Sequence, residues 1–249
     1  MRHAPARAAT AARYTVLERL GGSAMGAVHR AVVLGADGAH RVVALKRLSP
    51  ALDEDGRFGE AFAGRAAAAA ELDHPGIARI HRIERGGTGW LLASELVRGP
   101  DLDTLLARCR RAGRRPPRAV GLAVLEQLRA ALAYLHGRRR LHGNLSASNV
   151  LVDAAGRVVL TDAGMAGLRP TDPEVPDGDA ARALARELVD GAPASPGSAC
   201  ASAAELGDWV NAVCTVGLSP LSHVAAYPPV DGGVDAPTRQ EMAGDDGSR

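Results

Sequence analysis

The chain has 249 residues, with 30 Lys plus Arg against 28 Asp plus Glu, a net charge of +2 and only 3% aromatic residues. That charge balance excludes a chain-wide electrostatic case for nucleic acid. Three cysteines (Cys109, Cys200, Cys214) without metal-ligand spacing exclude a disulfide framework, and no apolar run reaches the roughly eighteen residues of a membrane span.

Residues 1–12 read as a loose, disordered arm. Next comes Leu20-Gly21-Gly22-Ser23-Ala24-Met25-Gly26-Ala27-Val28. Glycine lets a backbone approach a phosphate closely, but any β-turn also uses it, so the cluster alone is unspecific. Val43-Ala44-Leu45-Lys46 follows and holds the only lysine in the chain; the other basic side chains are arginine or histidine. Strand alternation puts Ala44 and Lys46 on one face. A small side chain there can floor a flat ring, and a long ammonium can reach phosphate oxygens beyond it. The run Ala66–Ala70 is a strong helix former that buries little area per residue.

Further along stand His74-Pro75-Gly76-Ile77, Leu91-Leu92-Ala93-Ser94-Glu95-Leu96-Val97-Arg98-Gly99 and Tyr134-Leu135-His136. Leu141-His142-Gly143-Asn144-Leu145-Ser146-Ala147-Ser148-Asn149-Val150-Leu151-Val152 and Thr161-Asp162-Ala163-Gly164 come next. Asp177-Gly178-Asp179 opens a segment ending in Glu187-Leu188-Val189-Asp190-Gly191, and Ser202–Val210 reads as a last helix. The Pro-, Gly- and Asp-containing stretch 219–249 reads as a disordered tail.

In this order the motifs resemble the bacterial, eukaryotic-like serine/threonine protein kinases from about Tyr14 to Gly191. The resemblance implies an α+β, two-lobe protein kinase-like domain over 13–218. Its β-rich N-lobe covers about 13–97, and its mainly helical, truncated C-lobe about 98–218. It also implies ATP and magnesium as ligands. Leu20, Gly21, Gly26 and Val28 match the nucleotide roof, Ala44 and Lys46 the strand behind it, and Glu95 and Val97 the hinge, with Ser94 at the gatekeeper position. Asn149 and Asp162 match the metal ligands.

Several parts depart from the family pattern. Asn144 stands where the family has its catalytic aspartate, and an amide is isosteric with a carboxylate but is neither base nor anion. Loss of a general base forfeits roughly 10²–10⁴-fold in rate. Ser146 stands where a lysine steadies the γ-phosphate, and Ser23 replaces the middle glycine of the loop. Arg65 falls where the family's helix C carries the glutamate that pairs with the strand lysine. Glu60 and Glu71 lie more than about 100° around that helix. Arg65 beside Lys46 would repel by about 1–4 kcal/mol at about 4 Å, so the expectation is a helix swung outward with Arg65 in solvent. Ala163 replaces the phenylalanine of the metal-binding motif and leaves a gap in the hydrophobic stack. Only fourteen residues separate Asp162 from Asp177, which leaves no room for a substrate-docking segment, and Pro173-Glu174 reads as loop.

Binding parts thus survive while turnover parts do not. The sequence resembles a pseudokinase that works through a signalling partner, an active kinase among the options. A divergent active serine/threonine kinase is the alternative; it requires another base, and Asp153, the nearest downstream acid, falls in an expected hairpin facing away. A decayed chain without a stable fold is the third reading. With no secretory signal, the cytoplasm is the expected compartment. Arg108, Arg110, Arg111, Arg114, Arg115 and Arg118 read as a solvated loop, and Arg138-Arg139-Arg140 as a second basic cluster. His136 reads as a surface or packing residue, and His142 as structural.

Overall fold

The computed structural model describes residues 14–23, 25–34, 38–49, 57–86, 89–165, 176–189 and 201–215. The expected arm and tail, and Pro173-Glu174, lie outside them.

Strands β1 (Tyr14–Ser23), β2 (Gly26–Leu34), β3 (His40–Leu48), β4 (Ile80–Gly86) and β5 (Gly89–Glu95) form one antiparallel sheet in the order β1-β2-β3-β5-β4. Helix α1 (Arg57–Ala69) interrupts the strands and packs on β4 and β5, burying Phe62, Ala66 and Ala69. Its alanine-rich sequence forms helix readily but offers little area, so Phe62 supplies most of the apolar bulk at this contact.

Beyond the sheet come α2 (Leu102–Arg111), α3 (Arg118–Gly137), the hairpin β6 (Val150–Val152) and β7 (Val158–Leu160), α4 (Asp177–Val189) and α5 (Ala203–Thr215). The sequence marks two helix starts. Asp101 accepts from the Thr104 N–H at 2.7 Å at the head of α2. At the head of α5, Ser202 and Glu205 form a reciprocal capping box, at 2.7 and 3.2 Å. Val120, Val124, Leu128, Ala131 and Leu135 give α3 a buried stripe at helical spacing.

One core cluster runs through both lobes, joining Leu48, Phe62 and Leu92 to Leu105, Leu128 and Leu160. A smaller cluster of Ala31, Val43, Leu45 and Ala93 covers the other face of the sheet. The fold is therefore an α+β two-lobe architecture, and the connection between lobes lies tightly along β6. The Val152 N–H donates to the Pro100 carbonyl at 3.0 Å, and a Cβ on Gly99 would lie 2.1 Å from the Val152 oxygen.

The arginines after Leu106 are not simply a solvated loop. Arg110 pairs with Glu187 of α4 at 2.6 Å, and Arg108 donates to the Cys214 carbonyl of α5 at 3.2 Å. Among the described residues, no helix is long and apolar enough to cross a membrane.

Candidate functional site

Register aligns the roof of the cleft. Gly21 pairs with Val28, Val28 with Lys46, and Lys46 with Leu92, so this row shares one face of the sheet. The neighbouring row carries Arg30, Ala44 and Ser94. Leu20 sits in a bulge between Arg19 and Gly21 and is exposed. A Cβ on Gly21 would meet nothing within 4 Å, which leaves open space beside it. Gly26 has a different task. At φ 147° its backbone passes so close to β3 that a Cβ would lie 1.9 Å from the Arg47 oxygen.

Lys46 is buried, and its ammonium donates to Asp162 Oδ2 at 2.6 Å. Asp162 adopts φ 58°, a left-handed conformation that aspartate tolerates better than most residues. This conformation belongs to the residue whose carboxylate meets the β3 lysine. Asn149 donates through Nδ2 to the Asn144 carbonyl at 2.7 Å, and its side chain also carries the amide oxygen Oδ1. Asn149 and Asp162 are also linked through the backbone, since the Thr161 N–H donates to the Asn149 carbonyl at 2.9 Å. An amide oxygen and a carboxylate are hard donors of the kind magnesium takes, so the residues present fit that ion.

The catalytic-loop backbone is held from below. Asp177, at the head of α4 and buried, accepts from the N–H groups of His142 at 2.8 Å and Gly143 at 2.7 Å. It also meets His136 Nε2 at 2.8 Å. Burial raises the Asp177 pKa, but the bonds from Gly143, His136 and His142 outweigh it and hold the carboxyl below its ordinary value. Burial pushes the His142 pKa down. Its Nε2 meets the Thr161 carbonyl at 2.9 Å and its Nδ1 accepts from the Asn144 N–H at 3.3 Å, which assigns the neutral Nε2–H tautomer. Gly143 takes φ 72°, a conformation in which a side chain would be strained.

Asn144 is exposed, and Ser146 shares a hydrogen bond with Ser148 at 2.9 Å. Asp153 is committed to its own turn, accepting from Ala155 N at 3.0 Å and Arg157 N at 2.9 Å. Glu71 pairs with Arg140 at 3.7 Å, away from Lys46. Arg65 is half-buried on α1, not in open solvent as like-charge repulsion alone predicts, and the buried lysine meets Asp162.

The gap expected at Ala163 corresponds to a small cavity. Ala163 and Met165 are both buried, and a cavity of about 30 Å³ remains between them, Ala69, Leu92 and Ser94. That volume accommodates about one or two waters and not a phenyl ring.

Glu95 and Val97 lie where β5 leaves the sheet. Glu95 is matched to the hinge by its place in the sequence, which does not reveal that its side chain pairs with Arg157 at 2.7 Å. Nor does the sequence reveal the brace by Asp177 and His136. An acid at the start of a helix and a histidine at the end of another were the available signals, and neither reveals that they meet.

Comparison with known proteins agrees with this geometry. A profile of the protein tyrosine and serine/threonine kinase family matches residues 14–182. The serine/threonine-protein kinase PknA of Mycobacterium tuberculosis is 33% identical over 166 residues, covering 64% of this chain and 38% of that protein. PknI of Mycobacterium bovis is 38% identical over 165 residues, covering 63% of this chain and 27% of that protein. The chain thus spans well under half the length of these relatives. A crystal structure of the M. tuberculosis PknI kinase domain superposes with a TM-score of 0.59 at 27% identity, covering 84% of this chain and 100% of that one. The chain belongs to the protein tyrosine and serine/threonine kinase family.

Proposed function

We propose that this kinase-like protein is catalytically impaired, binds ATP with magnesium, and acts in signalling through contacts with a protein partner such as an active kinase. The observation that carries the reading is the paired Lys46 and Asp162, with Asn149 close by, in a site whose loop presents Asn144 and Ser146. Leu20, Gly21, Gly26 and Val28 would roof the nucleotide, Ala44 would floor the ring, and the main chain at Glu95 and Val97 would meet the base. Lys46 would exchange its carboxylate partner for phosphate oxygens, and Asn149 and Asp162 would hold magnesium, whose role is to neutralise phosphate charge. An amide at 144 takes up no proton from a substrate hydroxyl, and Asp153 is occupied in its turn, so neither serves as the base of an active kinase.

Thermal unfolding of the wild type and Lys46→Ala, with and without ATP and magnesium, tests the binding half. A ligand at about 100 times its dissociation constant stabilises the fold by about 2.7 kcal/mol. The expected result is a magnesium-dependent rise in melting temperature for the wild type and a much smaller one for the variant. Equal shifts would remove Lys46 from the site, and a melt unmoved by ATP would leave a scaffold that does not bind nucleotide. Phosphotransfer by the wild type at the roughly 1–100 s⁻¹ of active kinases would overturn the impairment.

A further inference from the structure

The side chain of Glu95 is clamped from both lobes. Its Oε2 accepts from the Arg79 N–H at 3.3 Å, and its own N–H donates to the Arg79 carbonyl at 2.8 Å, tying it to the approach to β4. Its Oε1 accepts from Arg157 Nη2 at 2.7 Å, across 62 residues of sequence. Arg157 lies in the β6–β7 turn, and its Nε donates to Asp153 Oδ2 at 3.1 Å while Asp153 Oδ1 closes the turn. One planar guanidinium therefore bridges two carboxylates with its orientation set by the turn. Five residues on from Glu95, Pro100 is bonded to Val152 of β6 at 3.0 Å. The span 95–100 is thus fastened to the same hairpin at both ends, with buried Val97 between.

We propose that Arg157 is a positioning residue for the base end of the nucleotide site, holding Glu95 so that the main chain of residues 95–97 is set for the ring before it arrives. The inference rests on the nucleotide-binding reading above. Arg157 lies on the hairpin behind the hinge and reaches the span 95–97 through Glu95, at the end away from Lys46, so its loss acts on the ring and not on the phosphates. Preorganisation lowers the ordering cost of binding. A lysine keeps the charge but lacks the fork that reaches both carboxylates.

Titration calorimetry of the full chain with adenosine, and separately with ATP and magnesium, tests it. Arg157→Ala is expected to weaken both ligands by the same factor, about three- to tenfold for a partly exposed ion pair, with Arg157→Lys in between. Lys46→Ala is expected to weaken ATP and spare adenosine. Wild-type affinity for adenosine in Arg157→Ala overturns the positioning role while leaving nucleotide binding intact. A wild type that binds neither ligand overturns the nucleotide reading and this inference with it. Should Arg157→Ala fail to fold, Glu95→Gln carries the same test, because it keeps an acceptor for Arg79 and gives up the charge facing Arg157. Undiminished adenosine affinity in that variant also overturns the proposal.

Discussion

A buried ammonium is costly unless it is paired and hydrogen-bonded, and that constraint organises the site around Lys46. The helix position that supplies its usual partner holds Arg65, so the lysine meets Asp162 at 2.6 Å. Asn144 and Ser146 add no charge to the site. On the proposed reading, restoring the base alone is insufficient: Asn144→Asp is expected to give no phosphotransfer above the wild-type level in a radiolabel assay, since Arg65 and Ser146 remain. Strong turnover from that single change would show that the loss at 144 was the only defect. Motif order named the candidate residues of the site. It did not show that Lys46 and Asp162 already hold each other, because 116 residues separate them and only folding sets the distance.

At the scale of elements, the β1–β2 hairpin separates two uses of glycine that look alike in sequence. Gly26 is required by the fold: a Cβ there lies 1.9 Å from a backbone oxygen of β3, at φ 147°. Gly26→Ala is expected to destabilise the protein by about 1–3 kcal/mol in denaturant unfolding. Gly21→Ala, with nothing within 4 Å of the added methyl, is expected to leave stability near wild type. Equal stability losses in the two variants would refute the distinction. Helix α1 shows the opposite situation, where a strong local signal understated the packing. Its alanines predicted a helix, yet Phe62 at full burial anchors it on the sheet. Beside Ala163 the cavity is about 30 Å³, with Met165 buried next to it, too little space for a phenyl ring.

Across the whole molecule, several buried or bonded groups respond to pH with the same sign. His142 is held neutral by burial, and the pKa values of His74 and His81 are lowered chiefly by burial with added repulsion from Arg138 and Arg79 respectively. Each takes up protons more readily when unfolded. Their stabilising contribution is therefore full above the ordinary imidazole pKa of about 6.5 and is lost as pH falls below it. Asp177, also depressed, adds a further loss as pH falls below the ordinary carboxylate pKa of about 3.9. The melting temperature is expected to fall steadily from about pH 7 towards pH 4, and His142→Gln is expected to flatten the upper part of that slope. A melting temperature constant over this range would contradict the buried, neutral imidazole. At the same scale Arg110 and Arg108 join α2 to α4 and α5 beside the buried core, a use of arginine that its clustering in sequence does not reveal.

The sequence by itself determined the family and the order of lobes, because those rest on residue types at fixed spacings along a chain. Tertiary structure alone decided which side chains meet: Lys46 with Asp162, Asp177 with the backbone of His142 and Gly143, and Glu95 with Arg157. Each is a contact between distant segments. Its partner is set by strand register, helix docking and the need to pair every buried charge, conditions that exist only once the chain has closed on itself.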